Sequence, residues 1–169
     1  MSWGPRSVDG GLDEIVVEGR RSGIWLCGKR VPGPDPEAAL ARLGREPGAI
    51  VCLCQEHEID ERYPDYLAWL TANEGRRALW RPVPDLSAPT LDEARELAAE
   101  VNRLRDAGWA VVIHCGAGLG RAPTIAICAL LDRGHELDVV LDAVAQSRPM
   151  AGPESGHQRE LVEALGGRR

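Results

Sequence analysis

The chain has 169 residues with 26 acidic and 20 basic side chains, a net charge of −6, and 44% hydrophobic residues. These proportions fit one globular domain and exclude collagen-like and disordered classes. The acidic balance argues against a general nucleic-acid binder, which needs a basic face to neutralise phosphates. The longest apolar run, the seven residues Ile125–Leu131, falls far short of the roughly 20 that cross a bilayer, so no membrane partner is expected.

Residues 1–13 are rich in glycine and polar groups and are expected to form a loose arm ahead of one domain over 14–169. The arm lacks the apolar stretch of a secretory leader, which predicts a cytoplasmic protein. Glu14–Glu18 and Ile24–Cys27 read as short strands joined by a polar turn. Asp35-Pro36 opens a helix that Gly44 closes. Ala49–Cys54 is apolar without alternation, the pattern of a strand buried on both faces, and Trp109–Ile113 repeats it. Arg77–Val83 is a weaker strand. Tyr63–Asn73 and Thr90–Ala107 read as helices, the second with apolar residues at helical spacing, a Thr90/Glu93 capping box and a Gly108 stop. Three more helices are expected near 121–133, 137–147 and 155–165. Strands alternating with helices predict an α/β fold with a mostly parallel central sheet flanked by helices.

The five cysteines stand at 27, 52, 54, 115 and 128, an odd count without a C-x-x-C pair. That pattern reads as reduced thiols rather than a disulfide framework or a zinc ribbon. Cys27, Cys52 and Cys128 are expected to fill apolar space.

The segment His114-Cys115-Gly116-Ala117-Gly118-Leu119-Gly120-Arg121-Ala122-Pro123 lies between a buried strand and a helix, at the strand end where open α/β sheets bind ligands. Three glycines in five positions let successive N–H groups turn inward as an anion nest. The following helix aims its positive end into the same space, and Arg121 adds a planar fork for two phosphate oxygens. Cys115 opens this loop. The field that attracts a phosphate also favours a thiolate, so attack on phosphorus through phosphocysteine is the chemistry such a loop suggests.

His-Cys-x5-Arg, as His114-Cys115 to Arg121, resembles the signature of the cysteine-dependent protein tyrosine and dual-specificity phosphatases. Ala117–Pro123 is similar to the loop of the phosphatases of regenerating liver. The resemblance implies a dual-specificity phosphatase-like fold, no cofactor and no metal, and a phosphorylated protein as substrate partner. It makes Cys115 the nucleophile, and it gives substrate binding to Gly116, Ala117, Gly118, Leu119, Gly120 and Arg121. The resemblance also implies a general acid upstream, which serves because a departing alkoxide or phenoxide must be protonated. Asp85, thirty residues before Cys115, matches that place. Gln158 matches a residue that orients the hydrolytic water, and His114 one that orders the loop. The resemblance also makes the strands ending at Cys54 and Cys115 neighbours, and Cys54 a redox partner of Cys115.

Ala122 departs from the hydroxyl residue most of the family carries after the arginine, which implies slow turnover. It keeps a second class open, a phosphate-binding module with little or no turnover. A third, a sulfurtransferase or arsenate reductase, fits the cysteine loop but not the Pro84-Asp85 pair and the Arg121 fork. The absence of lysine from residues 114–123 tilts the substrate toward phosphoprotein, with phosphotyrosine ahead of phosphoserine and phosphothreonine.

Overall fold

The structure is a computed structural model that describes residues 8–167. Five strands form one sheet: β1 (Asp13–Val17), β2 (Arg20–Gly28), β3 (Gly48–Cys52), β4 (Ala78–Trp80) and β5 (Ala110–Cys115). Their order is β1-β2-β5-β3-β4. β1 runs antiparallel to β2, and the other pairs are parallel. The helices are α1 (Pro36–Ala41), α2 (Pro64–Asn73), α3 (Leu91–Asp106), α4 (Arg121–Asp132), α5 (Leu137–Ser147) and α6 (Gly156–Gly166).

β5 shows why the apolar runs become central strands. Val111, Ile113 and Cys115 face the core beneath α3, α4, α5 and α6. Ala110 and Val112 face the core beneath α1 and α2. Every residue of β5 is buried, and each fully buried Val or Ile contributes about 1.5–3 kcal/mol. No helix among the described residues is long and apolar enough to cross a membrane.

The caps form as the sequence indicates. Asp35 accepts from the Ala38 N–H at 3.0 Å. Thr90 and Glu93 bond reciprocally, a cap worth about 1 kcal/mol.

Three expectations need correction. β4 is three residues long rather than Arg77–Val83. The chain still follows β3, with Arg81 N–H donating to Cys52 O and Val83 N–H to Leu53 O, but Pro82 has no N–H and ends the regular ladder. α1 ends at Ala41, before Gly44. Residues 1–7 of the expected loose arm lie outside the described residues, whereas residues 9–13 are tied down. Asp9 pairs with Arg42, and Arg148 donates to Gly10 O, Gly11 O and Asp13.

Candidate active site

β3 and β5 are parallel neighbours, so their C-terminal ends share one edge of the sheet, and β2 ends there too. Cys115 closes β5, and residues 116–120 link it to the first turn of α4. The carbonyls of this loop are anchored outward. Lys29 N–H donates to Gly116 O at 3.0 Å and Gly152 N–H to Leu119 O at 3.0 Å. Arg148, 4% exposed, gives Nη2 to Ala117 O at 2.8 Å and Nε to Gly118 O at 2.9 Å. Thr124 takes Gly120 O through its N–H and its hydroxyl. With the carbonyls engaged outside, the N–H groups of 116–121 are left on the inner side. Among the described residues, none of the six donates to a protein acceptor. Backbone donors so arranged at a helix start can hold an anion.

Gly118 has φ +76°, and a Cβ there would lie 2.4 Å from the Cys27 carbonyl carbon and oxygen. The left-handed conformation and the close passage over β2 both require glycine. Gly28 is its counterpart, since a Cβ on it would meet Gly116 O at 2.7 Å.

Arg121 is the first residue of α4, 4% exposed. Its Nη1 donates to Glu58 Oε2 at 2.8 Å and Val83 O at 2.8 Å, and its Nη2 to Glu58 Oε1 at 2.7 Å. A guanidinium has five N–H groups in a fixed fork. Three are engaged, which leaves the Nε–H and the second Nη2–H, a parallel pair able to hold one oxyanion bidentately. The Nη2 end stands against Gly116 and 3.6 Å from Asp85 Oδ1. Burial opposes the Arg121 charge, but the Glu58 hydrogen bonds and the nearby Cys115, Glu58 and Cys54 hold its pKa above the ordinary arginine value.

Glu58 is a residue that sequence reasoning missed. It ends a 3₁₀ turn, Glu56–Glu58. The Gln55 N–H donates to its carboxylate at 2.8 Å, and Lys29 Nζ to its carbonyl at 2.9 Å. Burial raises its pKa, yet the Arg121 and Gln55 hydrogen bonds and the Arg121 charge bring it below the usual carboxylate range. Arg148 was missed as well. Its only local sign is an arginine before Pro149 at a helix end, and the contacts that matter come from residues 10–13 and 117–118.

The structure brings Cys115, Arg121 and Asp85 together. Cys115 is 3% exposed, so only a narrow opening reaches it. The Asp85 side chain is 76% exposed and stands over the guanidinium. Gln158 is buried: Oε1 accepts from Glu154 N–H at 2.7 Å and Nε2 donates to Ser87 O at 3.1 Å. It ties the stretch after α5 to the loop that carries Asp85. His114 is fully buried, with Nδ1 3.1 Å from Cys115 O and Nε2 2.6 Å from the Tyr66 hydroxyl. A carbonyl only accepts, so Nδ1 carries a proton, and in the neutral ring Nε2 accepts from Tyr66. Cys54, two residues past β3, is fully buried, and Trp80 Nε1 donates to its carbonyl at 2.8 Å. A hydrogen bond with Cys52 and burial push its thiol pKa well up. Burial likewise raises Cys27, and takes Cys128 to about 12.

A family model described as "Dual specificity phosphatase, catalytic domain" matches residues 43–165. Human dual specificity protein phosphatase 5 is 29% identical over 86 residues, which are 50% of this chain and 22% of that protein. The chain thus spans less than a quarter of this relative's length. Among solved structures, Tk-PTP in its active form is similar at 29% identity and a TM-score of 0.63, over 79% of this chain and 87% of that one. Kinase associated phosphatase, with its catalytic-site cysteine replaced by serine, shares the fold at 17% identity and a TM-score of 0.73, over 94% and 97% of the two chains. With a match across most of its length, the chain belongs to the dual specificity phosphatase family.

Proposed function

We propose that the chain hydrolyses phosphomonoesters on phosphoproteins, phosphotyrosine first and phosphoserine or phosphothreonine second, in a reducing compartment such as the cytoplasm. The observation that carries this reading is the ring of six unengaged N–H groups at 116–121, closed by the free edge of Arg121 and opening on Cys115. The Cys115 thiolate attacks phosphorus while Asp85 gives its proton to the departing oxygen. Phosphocysteine and an alcohol or phenol result. Asp85 then takes a proton from water, the water oxygen attacks phosphorus, and the thiolate leaves with release of inorganic phosphate. The backbone amides and Arg121 face the equatorial oxygens, where charge builds in both transition states. Gln158 and His114 support this as positioning residues.

The second step lacks help. Ala122 has no hydroxyl to assist the departing sulfur, and the Thr124 hydroxyl is committed to Gly120 O at 2.8 Å. Phosphocysteine should therefore accumulate. Mixing enzyme with a chromogenic aryl phosphate in a stopped-flow instrument should release about one equivalent of phenol per site, followed by slow turnover. Stoichiometric binding of a phosphate mimic with no burst would instead make the chain a binding module, the reading that Ala122 permits.

A redox response belongs to the same proposal. Cys54 and Cys115 end neighbouring parallel chain segments and both act on the Arg121 charge. Peroxide converts Cys115 to a sulfenic acid, and the Cys54 thiol condenses with it, expelling water and forming a disulfide. Peptide mapping after mild peroxide should find the 54–115 link, with activity lost and restored by dithiothreitol. Sulfinic Cys115 beside free Cys54 would rule the link out.

A further inference from the structure

Behind the loop, on the α2 face of the sheet, three metal-ligating side chains converge. Cys52 and His114 are register partners in the parallel β3–β5 pair. Cys54 follows two residues later, and both cysteines belong to the α2-side core. One ligand atom from each of Cys52, Cys54 and His114 lies within 4.8 Å of the others. All three residues are 0% exposed. We propose that Cys52, Cys54 and His114 form a binding site for a thiophilic divalent cation of the zinc class, distinct from the phosphate loop.

The donor set matches the ion. Zinc takes sulfur at about 2.3 Å and imidazole nitrogen at about 2.0–2.1 Å in a tetrahedron. Its ligand atoms then lie about 3.3–3.8 Å apart, a contraction of at most about 1.0–1.5 Å here. Nδ1–H is held by Cys115 O at 3.1 Å, which leaves Nε2 as the ligating nitrogen once the Tyr66 hydroxyl that donates to it at 2.6 Å turns aside. A ligating histidine whose other N–H is fixed by a backbone carbonyl is the usual outer-shell arrangement. The Tyr66 hydroxyl, 2.6 Å from Nε2, is the neighbouring oxygen for the fourth position. On binding, each thiol releases one proton to solvent. Two thiolates, a neutral imidazole and a dication sum to zero charge, which keeps the cost of a fully buried site low. The ion would fasten the end of β3 to the end of β5 directly beneath the nucleophile loop, and would keep Cys54 from the disulfide with Cys115 until it is released. Because the ligands are sealed, it enters during folding or when α2 lifts.

The test uses untagged full-length chain expressed with added zinc and purified in a phosphine reductant. About one zinc per chain should persist through gel filtration, and the Cys115→Ser variant should keep it. The Cys52→Ala/Cys54→Ala variant should lose it. X-ray absorption on wild-type protein supplies a reading that does not depend on any variant folding, and should give two sulfurs with one or two N/O neighbours. Zinc that disappears with Cys115→Ser, a shell with fewer than two sulfurs, or metal-free protein after zinc-supplemented expression would each overturn the site. None of these readouts involves hydrolysis, so the site and the phosphatase reading fail separately.

Discussion

Replacing Cys115 by serine is expected to abolish hydrolysis of a generic aryl phosphate, by about 10⁴-fold or more, while the fold survives. The loss follows from what the loop can stabilise. In the proposed mechanism the attacking atom is sulfur, and a serine oxygen, far less nucleophilic and a far weaker acid, does not replace it. The fold survives because the change is one atom at a site already lined by polar backbone. A cost of about 1 kcal/mol would lower the melting temperature by about 2–4 °C in a domain of this size. Binding should persist, since the amides of 116–121 and the free Arg121 edge are untouched. Turnover assays, a melting curve and titration with a phosphotyrosine peptide check the three parts separately. Wild-type turnover in a sequenced Cys115→Ser protein would remove Cys115 from the mechanism.

Asp85→Ala should slow the chemical step by about 10²–10⁴-fold, and the deficit should depend on the leaving group. A nitrophenolate departs with little protonation, so the loss on that substrate should be the smaller one. An alkyl phosphate cannot expel its alkoxide unaided, so the loss there should be the full one. The placement of Asp85 motivates this: its carboxylate stands 3.6 Å from Arg121 Nη2 and is open to solvent, while Ser87, two residues on, is pinned by Gln158. Other carboxylates nearby are less suited. Glu58 is bonded to Arg121 through both oxygens. Glu154 stands against Gly120 and becomes the acid to test next if Asp85→Ala turns over an alkyl phosphate at the wild-type rate.

The central strands were legible because burial on both faces leaves a local trace. Ala49–Cys54 and Trp109–Ile113 are apolar without alternation, and both enter the sheet as parallel neighbours. The helix starts were legible because Asp35, Thr90 and Glu93 act within three residues of their own position. The loop could be read for a similar reason, since its glycines and its arginine lie within six residues of Cys115. What escaped was every partner recruited from afar. Glu58 reaches Arg121 across 63 residues, Tyr66 reaches His114 across 48, and Arg148 reaches Asp13 across 135. No short-range pattern encodes such pairings. Gln158 shows the other gap: its position was found from the resemblance, but its bonds to Glu154 N–H and Ser87 O depend on two loops meeting.

Arg148 spans two parts of the chain that are otherwise remote, gripping the backbone and carboxylate of residues 10–13 with one nitrogen and the carbonyls of 117 and 118 with the other two. Local opening in proteins proceeds through cooperative units rather than residue by residue. The anion cradle and the leading edge strand are therefore expected to open together, so that detaching the strand slackens the cradle even with α4 still wound. Sensitivity of the site to tension or truncation near residue 10 is built into one guanidinium.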